Sequence, residues 1–412
     1  MELRLADPVV LTSDETASSL ITLPEYGSIE VDLPPAVVAE IVSDYKDRLE
    51  CRFTGTHGRW ALTAKEYVGT VRIGECSLVI KPKMGLRNLL GLMDVEIPSE
   101  TWRQEVVALD NNDDLLVVMA RLFCVACEDA TRRGLRRSYV ARQERLVSPR
   151  GRLDLTEMLR RPGIESPIAC RFDEHTADMP INQLLRAALG RARRVAGIGP
   201  RWQRRLLGQL AEFDEVADVF QDWSWAVRWQ PAPMERHYET AVRLGYLLLS
   251  QASLRSRHGA TAANAFLLDM NHLFEAWVGR RLQEICVGYD VEEQASISLD
   301  IGGQVNMRPD LVLHRNAQVV AVADVKYKHL SSGTGRTPDY YQALAYATAY
   351  SLPDAWLIYA RYPGDTASHQ VQVRGSGIRL HTVGIDMTGS TEGMVEQLQV
   401  LAGRITQHTA PR

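Results

Sequence analysis

The sequence predicts a multidomain α+β protein with a β-rich N-terminal domain, a helical middle domain and a C-terminal domain built on a mixed sheet. A length of 412 residues corresponds to two or three domains of ordinary size. Alternating apolar and polar residues dominate the first part of the chain, helical periodicity the middle, and alternation returns near the end. We place the domains at residues 1–110, 111–262 and 263–412, and expect the last to fold on its own.

The composition excludes several classes of protein. A chain that is 45% hydrophobic and 24% charged is typical of globular proteins rather than disordered ones. No stretch approaches the roughly 20 apolar residues of a membrane span, and the first residues are acidic where a signal peptide is basic. The six cysteines are too scattered for a disulfide framework. We therefore expect a cytoplasmic protein with no membrane partner, in which the cysteines are packing residues.

The charge is distributed unevenly along the chain. The net charge is −4, yet residues 131–205 contain 18 Arg and no Lys against 7 acids, a local balance of +11. Such a segment is typical of a basic patch that binds phosphates. A helical segment with a solvated arginine face has the same composition. The sequence leaves both interpretations open.

The N-terminal domain contains one predicted hairpin. Alternating strands surround a predicted helix over residues 35–49, and the stretch VGTVRIGECSLVIKPKM follows. Its two alternating runs, Tyr67–Ile73 and Cys76–Lys81, flank a turn at positions 74–75, which is the pattern of a β-hairpin. The hairpin either projects and inserts into another protein, or is an interior pair of a small barrel.

The middle domain is predicted to be helical. A cluster of Asn and Asp at positions 111–114 caps a long apolar-periodic run. Further helices are predicted over residues 181–195, 201–219 and 236–253.

The C-terminal domain has the predicted order αβββαβ followed by a closing helix. Such an order suggests a small mixed sheet covered by helices. The predicted helices cover residues 265–285, 338–350 and 393–405, and the predicted strands cover 295–299, 305–313, 319–325 and 355–360.

Two strands of this domain carry a candidate metal site in the text MRPDLVLHRNAQVVAVADVKYKHL. Asp324 and Lys326 are two residues apart and share one face of a strand. A hairpin closed at residues 315–319 pairs positions whose numbers add up to about 634, which makes Asp310 and Asp324 cross-strand neighbours. Two carboxylates this close repel each other unless a cation lies between them, and such oxygen ligands suit Mg²⁺ or Mn²⁺.

Lys326 lies beside these acids and suggests phosphate chemistry. An ammonium group here can hold a metal-bound water or stabilise charge in a phosphoryl transition state. Only 6 of the 47 basic residues are lysines, so a lysine at this point is informative. The alternative is a surface hairpin that carries an ordinary Asp–Lys pair.

Three further residues fit the same site. Glu275 lies in an otherwise apolar helical run and has the reach to approach the metal. Gln342 and Tyr346 are four residues apart and therefore lie on one face of a helix. Each alone is typical of a boundary or amphipathic position. In the order Glu, PD, DxK, QxxxY within one αβββα unit, they reinforce one another.

This combination resembles the PD-(D/E)xK nuclease superfamily, with the QxxxY helix of its RecB-like members. The chain is more narrowly similar to the McrC family, the endonuclease subunits of McrBC modified-cytosine-dependent restriction systems. The likeness runs from about residue 60 to 350 and leaves out both ends and much of the arginine-rich segment. Its segments, in order, are VGTVRIGECSLVIKPKM, GRLDLTEML, NQLLRAAL, HLFEAWVGRRL, RPDLVL, DVKYK and YQALAYATAY.

The resemblance implies a PD-(D/E)xK nuclease-like C-terminal α/β domain and a Mg²⁺- or Mn²⁺-dependent endonuclease acting on double-stranded DNA. The implied metal ligands are Asp310, Asp324 and Val325. The implied catalytic residues are Asp310, Asp324, Lys326, Glu275, Gln342 and Tyr346.

The resemblance also implies a partner, McrB, an AAA+ GTPase ring that translocates DNA and is stimulated by McrC. The N-terminal domain would contact this ring, and its candidate partner-binding residues are Gly74, Glu75, Lys81 and Lys83. The chain has no GxxxxGK[ST] loop, so GTP would act only through the partner.

Two other functions remain open at this point. A stand-alone RecB-like repair nuclease would share the catalytic motifs without the partner. A catalytically idle activator of an NTPase ring would carry the DxK hairpin as inherited scaffold. The sequence indicates neither the modified base nor its sequence context, because the partner reads the base in such systems.

Overall fold

The computed structural model describes residues 10–11, 19–56, 58–74, 76–93, 115–159, 166–195, 197–219, 222–227, 229–253, 265–328, 337–363, 365 and 368–408. The chain forms two compact units, one from Met1–Ile97 with Leu267–Arg412 and one from Pro98–Phe266. These boundaries lie near the predicted ones at residues 110 and 262. The structure differs from the predicted division because the first and third predicted domains pack into a single unit.

The first unit contains a five-stranded sheet, a six-stranded sheet and two smaller sheets. Its N-terminal elements are β1 (Val10–Leu11), β2 (Ser19–Pro24), β3 (Ser28–Asp32), α1 (Pro35–Asp44), β4 (Leu49–Phe53), β5 (Arg59–Ala64), β6 (Tyr67–Ile73), β7 (Cys76–Lys81) and α2 (Leu86–Leu92). The order in the five-stranded sheet is β1-β2-β7-β6, followed by a strand from the later part of the chain. Strands β3, β5 and β4 form a separate antiparallel sheet.

The predicted hairpin has the predicted bounds, β6 and β7, with Ile73 opposite Cys76. Gly74 has φ +55° and supplies the left-handed conformation that a tight hairpin turn requires. Strand β7 also pairs in parallel with β2, so the hairpin is an interior pair of its sheet and does not project. The pair is thus interior, as in the second of the two predicted alternatives, but it belongs to a five-stranded sheet rather than to the small barrel of that alternative. Alternate side chains of β7 are buried. Glu75 lies outside the described residues.

The second unit contains a three-stranded sheet as well as helices, so the prediction of a helical middle domain describes only part of it. Its elements are α3 (Leu115–Thr131), β8 (Ser138–Leu146), β9 (Arg152–Leu153), α4 (Leu155–Leu159), β10 (Ile168–Thr176), α5 (Pro180–Arg193), α6 (Pro200–Glu212) and α7 (Glu239–Ser253). The long antiparallel pair of β8 and β10 lies inside the arginine-rich segment. Apart from the buried Ala169 and Cys170, its side chains are partly or fully exposed, so most of the pair lacks the apolar face that marks a strand in a sequence.

Several arginines of this segment form ion pairs with carboxylates. Part of the local positive charge is therefore neutralised within the unit, as on a solvated, salt-bridged surface. The pairs are Arg132–Asp129, Arg137–Glu215, Arg142–Glu174, Arg171–Asp154 and Arg205–Glu128. Whether the remaining arginines bind phosphates stays an open prediction.

The C-terminal part of the first unit builds the six-stranded sheet. Its order is β12-β15-β16-β17-β19-β18, in which β16, β17 and β19 are parallel and the outer pairs are antiparallel. Its elements are β11 (Ala265–Asp269), α8 (Met270–Ile285), β12 (Asp290–Glu293), β13 (Ile297–Ser298), β14 (Asn306–Met307), β15 (Leu311–Arg315), β16 (Gln318–Lys326), α9 (Thr337–Ala349), β17 (Asp354–Arg361), β18 (Ser368–Gln372), β19 (Arg379–Asp386) and α10 (Thr391–His408). Strand β11 joins the edge of the five-stranded sheet, beside β6.

The predicted register of β15 and β16 is confirmed at the end next to the site, and a register shift between Leu313 and His314 changes it by one residue toward the turn. Leu311 pairs with Ala323, which matches the predicted sum of residue numbers. The turn consists of Asn316 and Ala317, whose φ values of 51° and 62° are the left-handed conformations of a type I′ turn.

The predicted helix over residues 265–285 begins later than expected. Asp269 ends β11 and caps α8, because its Oδ1 accepts a hydrogen bond of 3.1 Å from the main-chain N of His272. The apolar residues before Asp269 have no helical cap and instead form a strand. Tyr67 anchors the junction by donating a hydrogen bond of 3.1 Å to Asp269 Oδ2.

Two sequence-level expectations concern single features. The six cysteines are free thiols and five are buried, as the packing interpretation predicts. Throughout the part of the chain that the structure describes, no helix has both the length and the apolar character needed to cross a membrane. The cytoplasmic location stays a prediction.

The shared first unit leads to a prediction about fragments. Asn88 donates hydrogen bonds of 2.9 and 2.6 Å to the carbonyls of Met387 and Gly389, so residues from both ends of the chain complete one core. Contrary to the sequence-based expectation, residues 263–412 expressed alone should be poorly folded. A chain in which a flexible Gly/Ser linker replaces residues 98–264 should fold cooperatively. Far-UV circular dichroism and thermal unfolding compare the two, and a cooperative transition of the short fragment would contradict the shared core.

Candidate functional site

The centre of the candidate site consists of Asp310, Asp324 and Lys326. Asp310 directly precedes β15, and the other two lie near the end of β16. The Nζ atom of Lys326 lies 2.7 Å from Asp324 Oδ2 and 3.7 Å from Asp310 Oδ2. The main-chain N of Val325 donates a hydrogen bond of 2.8 Å to Asp310 Oδ2. The structure therefore brings together the three residues that the strand register predicted.

Burial determines the electrostatics of this centre. Asp324 is 1% exposed, and burial together with the nearby Asp310 carboxylate raises its pKa to about 7, although Lys326 opposes the shift. Burial lowers the pKa of Lys326, but the Asp324 and Asp310 carboxylates more than offset this, so its pKa is raised. Lys326 thus stays a cation. The carboxyl groups of Asp310 and Asp324 are held close together, and their mutual repulsion costs free energy.

The donor set fits a hard divalent cation. Asp324 Oδ1 is buried and accepts no hydrogen bond from any described residue, which leaves one carboxylate oxygen without a partner. Within the described ranges, no group of three or more His, Cys, Asp or Glu side chains is arranged to hold a metal. Mg²⁺ does not need such a group, because it keeps several waters and uses one or two carboxylates with substrate phosphates. Val325 can contribute only its main-chain carbonyl.

Gln294 belongs to the site and was not predicted. Its Nε2 donates a hydrogen bond of 3.2 Å to Asp310 Oδ1 and a second, shorter one to Glu275 Oε1. Its main-chain N donates to the Asp310 carbonyl at 2.9 Å. Its φ of 55° is unusual for a residue with a side chain, which indicates that the surrounding contacts fix this conformation. The one signal in the sequence is a polar residue directly before a predicted strand.

Glu275 reaches the site through Gln294 and not by direct contact with Lys326. On helix α8, the neighbours Phe274 and Trp277 are fully buried and fix the orientation of the helix. Burial and the charge of Asp310 raise the pKa of Glu275. Glu275 and Asp310 are thus two acids joined by one amide.

Tyr346 and Gln342 hold the main chain that leads into Asp310. Gln342 is exposed and donates a hydrogen bond of 2.7 Å to the Tyr346 hydroxyl. That hydroxyl donates in turn to the Arg308 carbonyl at 3.1 Å, two residues before Asp310. Burial and the Asp324 charge raise the pKa of Tyr346 to about 12, so the hydroxyl keeps its proton. No described hydrogen bond joins Gln342 to the acids or the lysine, so it acts through Tyr346.

Comparisons with known proteins identify a family and similar solved chains. A family model described as McrBC 5-methylcytosine restriction system component matches residues 62–360. A chain of a Thermococcus gammatolerans assembly of McrB AAA+ hexamers with bound McrC is similar with 16% identity and a TM-score of 0.59, over 93% of this chain and 100% of that one. A chain of the Thermococcus gammatolerans McrBC complex has 17% identity and a TM-score of 0.44, over 65% of this chain and 88% of that one. No curated protein matches the sequence.

The raised pKa of Asp324 predicts how stability depends on pH without metal. Between pH 4 and 7 the folded state keeps a proton that the unfolded state has lost, so the free energy of unfolding falls as pH rises through this window. Asp324→Asn removes this effect. In EDTA the variant should be more stable than the wild type at pH 8, by ~1–4 kcal/mol at ~1.4 kcal/mol per pKa unit, and the gain should vanish near pH 4.

Asp354 is the matched control for this measurement. Asp354 is also buried, and burial acts to raise its pKa. Hydrogen bonds from Arg379 and His381 more than offset this effect, so the pKa of Asp354 is lowered. Asp354→Asn should therefore destabilise at pH 8, with a loss that shrinks as the pH falls. Urea unfolding at several pH values measures the free energy of unfolding of both variants. A destabilised Asp324→Asn protein at pH 8 would contradict the electrostatic account of the site.

Proposed function

Because the chain belongs to the McrBC 5-methylcytosine restriction system component family, we propose that it is the McrC-type subunit and a Mg²⁺-dependent endonuclease that cuts double-stranded DNA with an McrB-type AAA+ GTPase partner. One observation carries the proposal of an active enzyme. Asp310, Asp324 and Lys326 converge at the end of one hairpin, with a buried carboxylate oxygen that accepts no hydrogen bond from any described residue.

In the proposed reaction, Asp310, Asp324 and the Val325 carbonyl hold the cation. When bound, Mg²⁺ supplies Lewis-acid polarisation of the scissile phosphate and a water that ionises more readily. The two carboxylates are then attracted to a common charge instead of repelling each other. Lys326 is kept protonated by these acids and donates a hydrogen bond to a phosphate oxygen, where negative charge builds up in the transition state.

The surrounding residues keep these groups in position. Tyr346 fixes the main chain at Arg308, and Gln294 fixes both the main chain and one carboxylate oxygen of Asp310. Catalysis by such groups depends strongly on position, because misplacement by about 1 Å can cost ~100-fold in rate. Both residues are therefore positioning residues in the proposal, and Glu275 is a further acid joined to Asp310 through Gln294.

The other two functions suggested by the sequence receive less support. The complete Asp–Asp–Lys arrangement favours an enzyme over a catalytically idle activator. The family match over residues 62–360 favours a restriction-system subunit over a stand-alone repair nuclease. We include an AAA+ partner because the similar Thermococcus gammatolerans chain belongs to an assembly of McrB AAA+ hexamers with bound McrC.

We also propose that the end of hairpin β6–β7 contributes to contact with the AAA+ partner. Lys81 and Lys83 are partly exposed, and they are two of the six lysines of the chain. The two lysines have different surroundings. The Lys83 ammonium lies 5.1 Å from the centre of the Tyr26 ring and 5.9 Å from that of Tyr362, so it also stabilises the unit internally.

Variants of the three central residues test the nuclease proposal. Asp310→Ala, Asp324→Ala and Lys326→Ala should each abolish cleavage of modified DNA by the complex with its GTPase partner, because each removes a cation ligand or the transition-state charge. Lys326→Arg should be inactive or nearly so, because its planar guanidinium does not replace the compact ammonium group. Cleavage is measured on gels with Mg²⁺ and GTP, and GTPase stimulation should be unchanged.

Lys46→Ala, a change on the surface of the same unit, serves as the matched control and should cut at the wild-type rate. Cleavage by the Asp324→Ala complex would remove the site assignment.

Charge reversal at Lys81 tests the proposed partner surface. Lys81→Glu should remain folded because the side chain is only partly buried, and it should lower stimulation of GTP hydrolysis by the partner. Cleavage by the complex should fall in parallel. Lys65→Glu, at another partly exposed lysine of the unit, is the control. Full GTPase stimulation by a folded Lys81→Glu protein would show that the contact lies elsewhere.

A further inference from the structure

Glu25 is a fully buried carboxylate at the place where two sheets of the first unit meet. It directly follows β2, and its main-chain N donates a hydrogen bond of 2.9 Å to the carbonyl of Lys81 at the end of β7. On the other side, Tyr327 directly follows β16 and Tyr362 directly follows β17. The ends of two parallel strand pairs, one from each sheet, thus converge on this carboxylate.

The contacts of Glu25 join the two sheets. Its Oε1 accepts hydrogen bonds of 2.9 Å from the Tyr327 hydroxyl and 2.8 Å from the main-chain N of Lys83. The hydroxyls of Tyr327 and Tyr362 are 2.5 Å apart. The adjacent Tyr26 hydroxyl donates to the Tyr327 carbonyl at 2.6 Å. Both the side chain and the main chain of Tyr327 are therefore held by residues of the N-terminal segment.

Burial of the Glu25 carboxylate carries a cost in free energy, which its hydrogen bonds offset only in part. Glu25 is 0% exposed, and its Oε2 atom accepts no hydrogen bond from the described residues. A buried carboxylate with an unused acceptor destabilises a fold relative to an apolar side chain of similar size. Burial accordingly raises its pKa. Such a group is expected where it fixes a geometry that function requires.

Glu25 holds the main chain directly after Lys326, the proposed catalytic lysine. Tyr327 follows Lys326 without an intervening residue, and the Lys326 ammonium lies only 2.7 Å from Asp324. A shift of the main chain at Tyr327 would move Lys326 relative to both acids. Lys83, which donates to Glu25, is two residues from the candidate partner-binding Lys81, so the same contacts connect that surface with the site.

We propose that Glu25 is a positioning residue for Lys326, acting through the Tyr327 hydroxyl and linking the proposed partner surface to the nuclease site. This inference rests on the proposed nuclease function. Glu25 touches neither DNA nor metal in this account. It sets the rate of cleavage and not the affinity for DNA.

The test uses the full-length chain in complex with its GTPase partner, on a modified duplex at saturating concentration. Glu25→Leu and Tyr327→Phe both remove the hydrogen bond and should lower the single-turnover cleavage rate by about 10- to 100-fold, with DNA affinity unchanged. Glu25→Gln keeps an acceptor oxygen and should restore a rate close to wild type. Should Glu25→Leu fail to fold, the smaller change Tyr327→Phe carries the test.

Tyr238→Phe is the matched control, because it removes another buried hydroxyl, one that accepts a hydrogen bond of 2.8 Å from Arg136 N. It should lower the melting temperature without lowering the cleavage rate. Wild-type rates in folded Glu25→Leu and Tyr327→Phe proteins would overturn the inference, as would an equal loss in Tyr238→Phe. The nuclease proposal itself fails separately, if the wild-type complex does not cut or if Asp324→Ala cuts equally well.

Discussion

The pairing register of β15 and β16 is the constraint on which the candidate site depends. It places Asp310 beside Asp324 and leaves the second carboxylate almost fully buried, with a pKa raised to about 7. A one-residue slip would move Asp324 and Lys326 to the opposite face of the sheet. The left-handed turn at Asn316 and Ala317 and the apolar residues of both strands prevent that slip. The fold thus maintains a repulsion that only a cation or a proton relieves.

The rest of the first unit supports this pair of strands from several directions. Gln294 and Tyr346 hold the main chain around Asp310, and Glu25 holds the main chain after Lys326 through Tyr327. These contacts come from widely separated parts of the sequence, which explains why the N-terminal segment and the C-terminal sheet form one compact unit. In this account, the N-terminal segment carries the proposed partner surface and also completes the candidate site.

The sequence predicted those features that follow from local patterns. Alternation and turn residues gave the bounds of β6 and β7 and the register of β15 and β16, and they brought together Asp310, Asp324 and Lys326. The sequence analysis missed Gln294 and Glu25. No local sequence pattern indicates that a glutamine has a positive φ, or that a carboxylate accepts a hydrogen bond from a tyrosine 302 residues away. It also missed the exposed pair β8–β10, whose polar faces give no apolar alternation.

The most direct test of the central claim is a crystal of the chain soaked in Mn²⁺, with an anomalous difference map. The account predicts a peak in contact with carboxylate oxygens of both Asp310 and Asp324, at coordination distances of roughly 2.1 Å, and its loss in Asp324→Asn. Contact with the Val325 carbonyl would complete the predicted ligand set. A complex that cuts DNA while its Mn²⁺ binds away from these two residues would contradict the account.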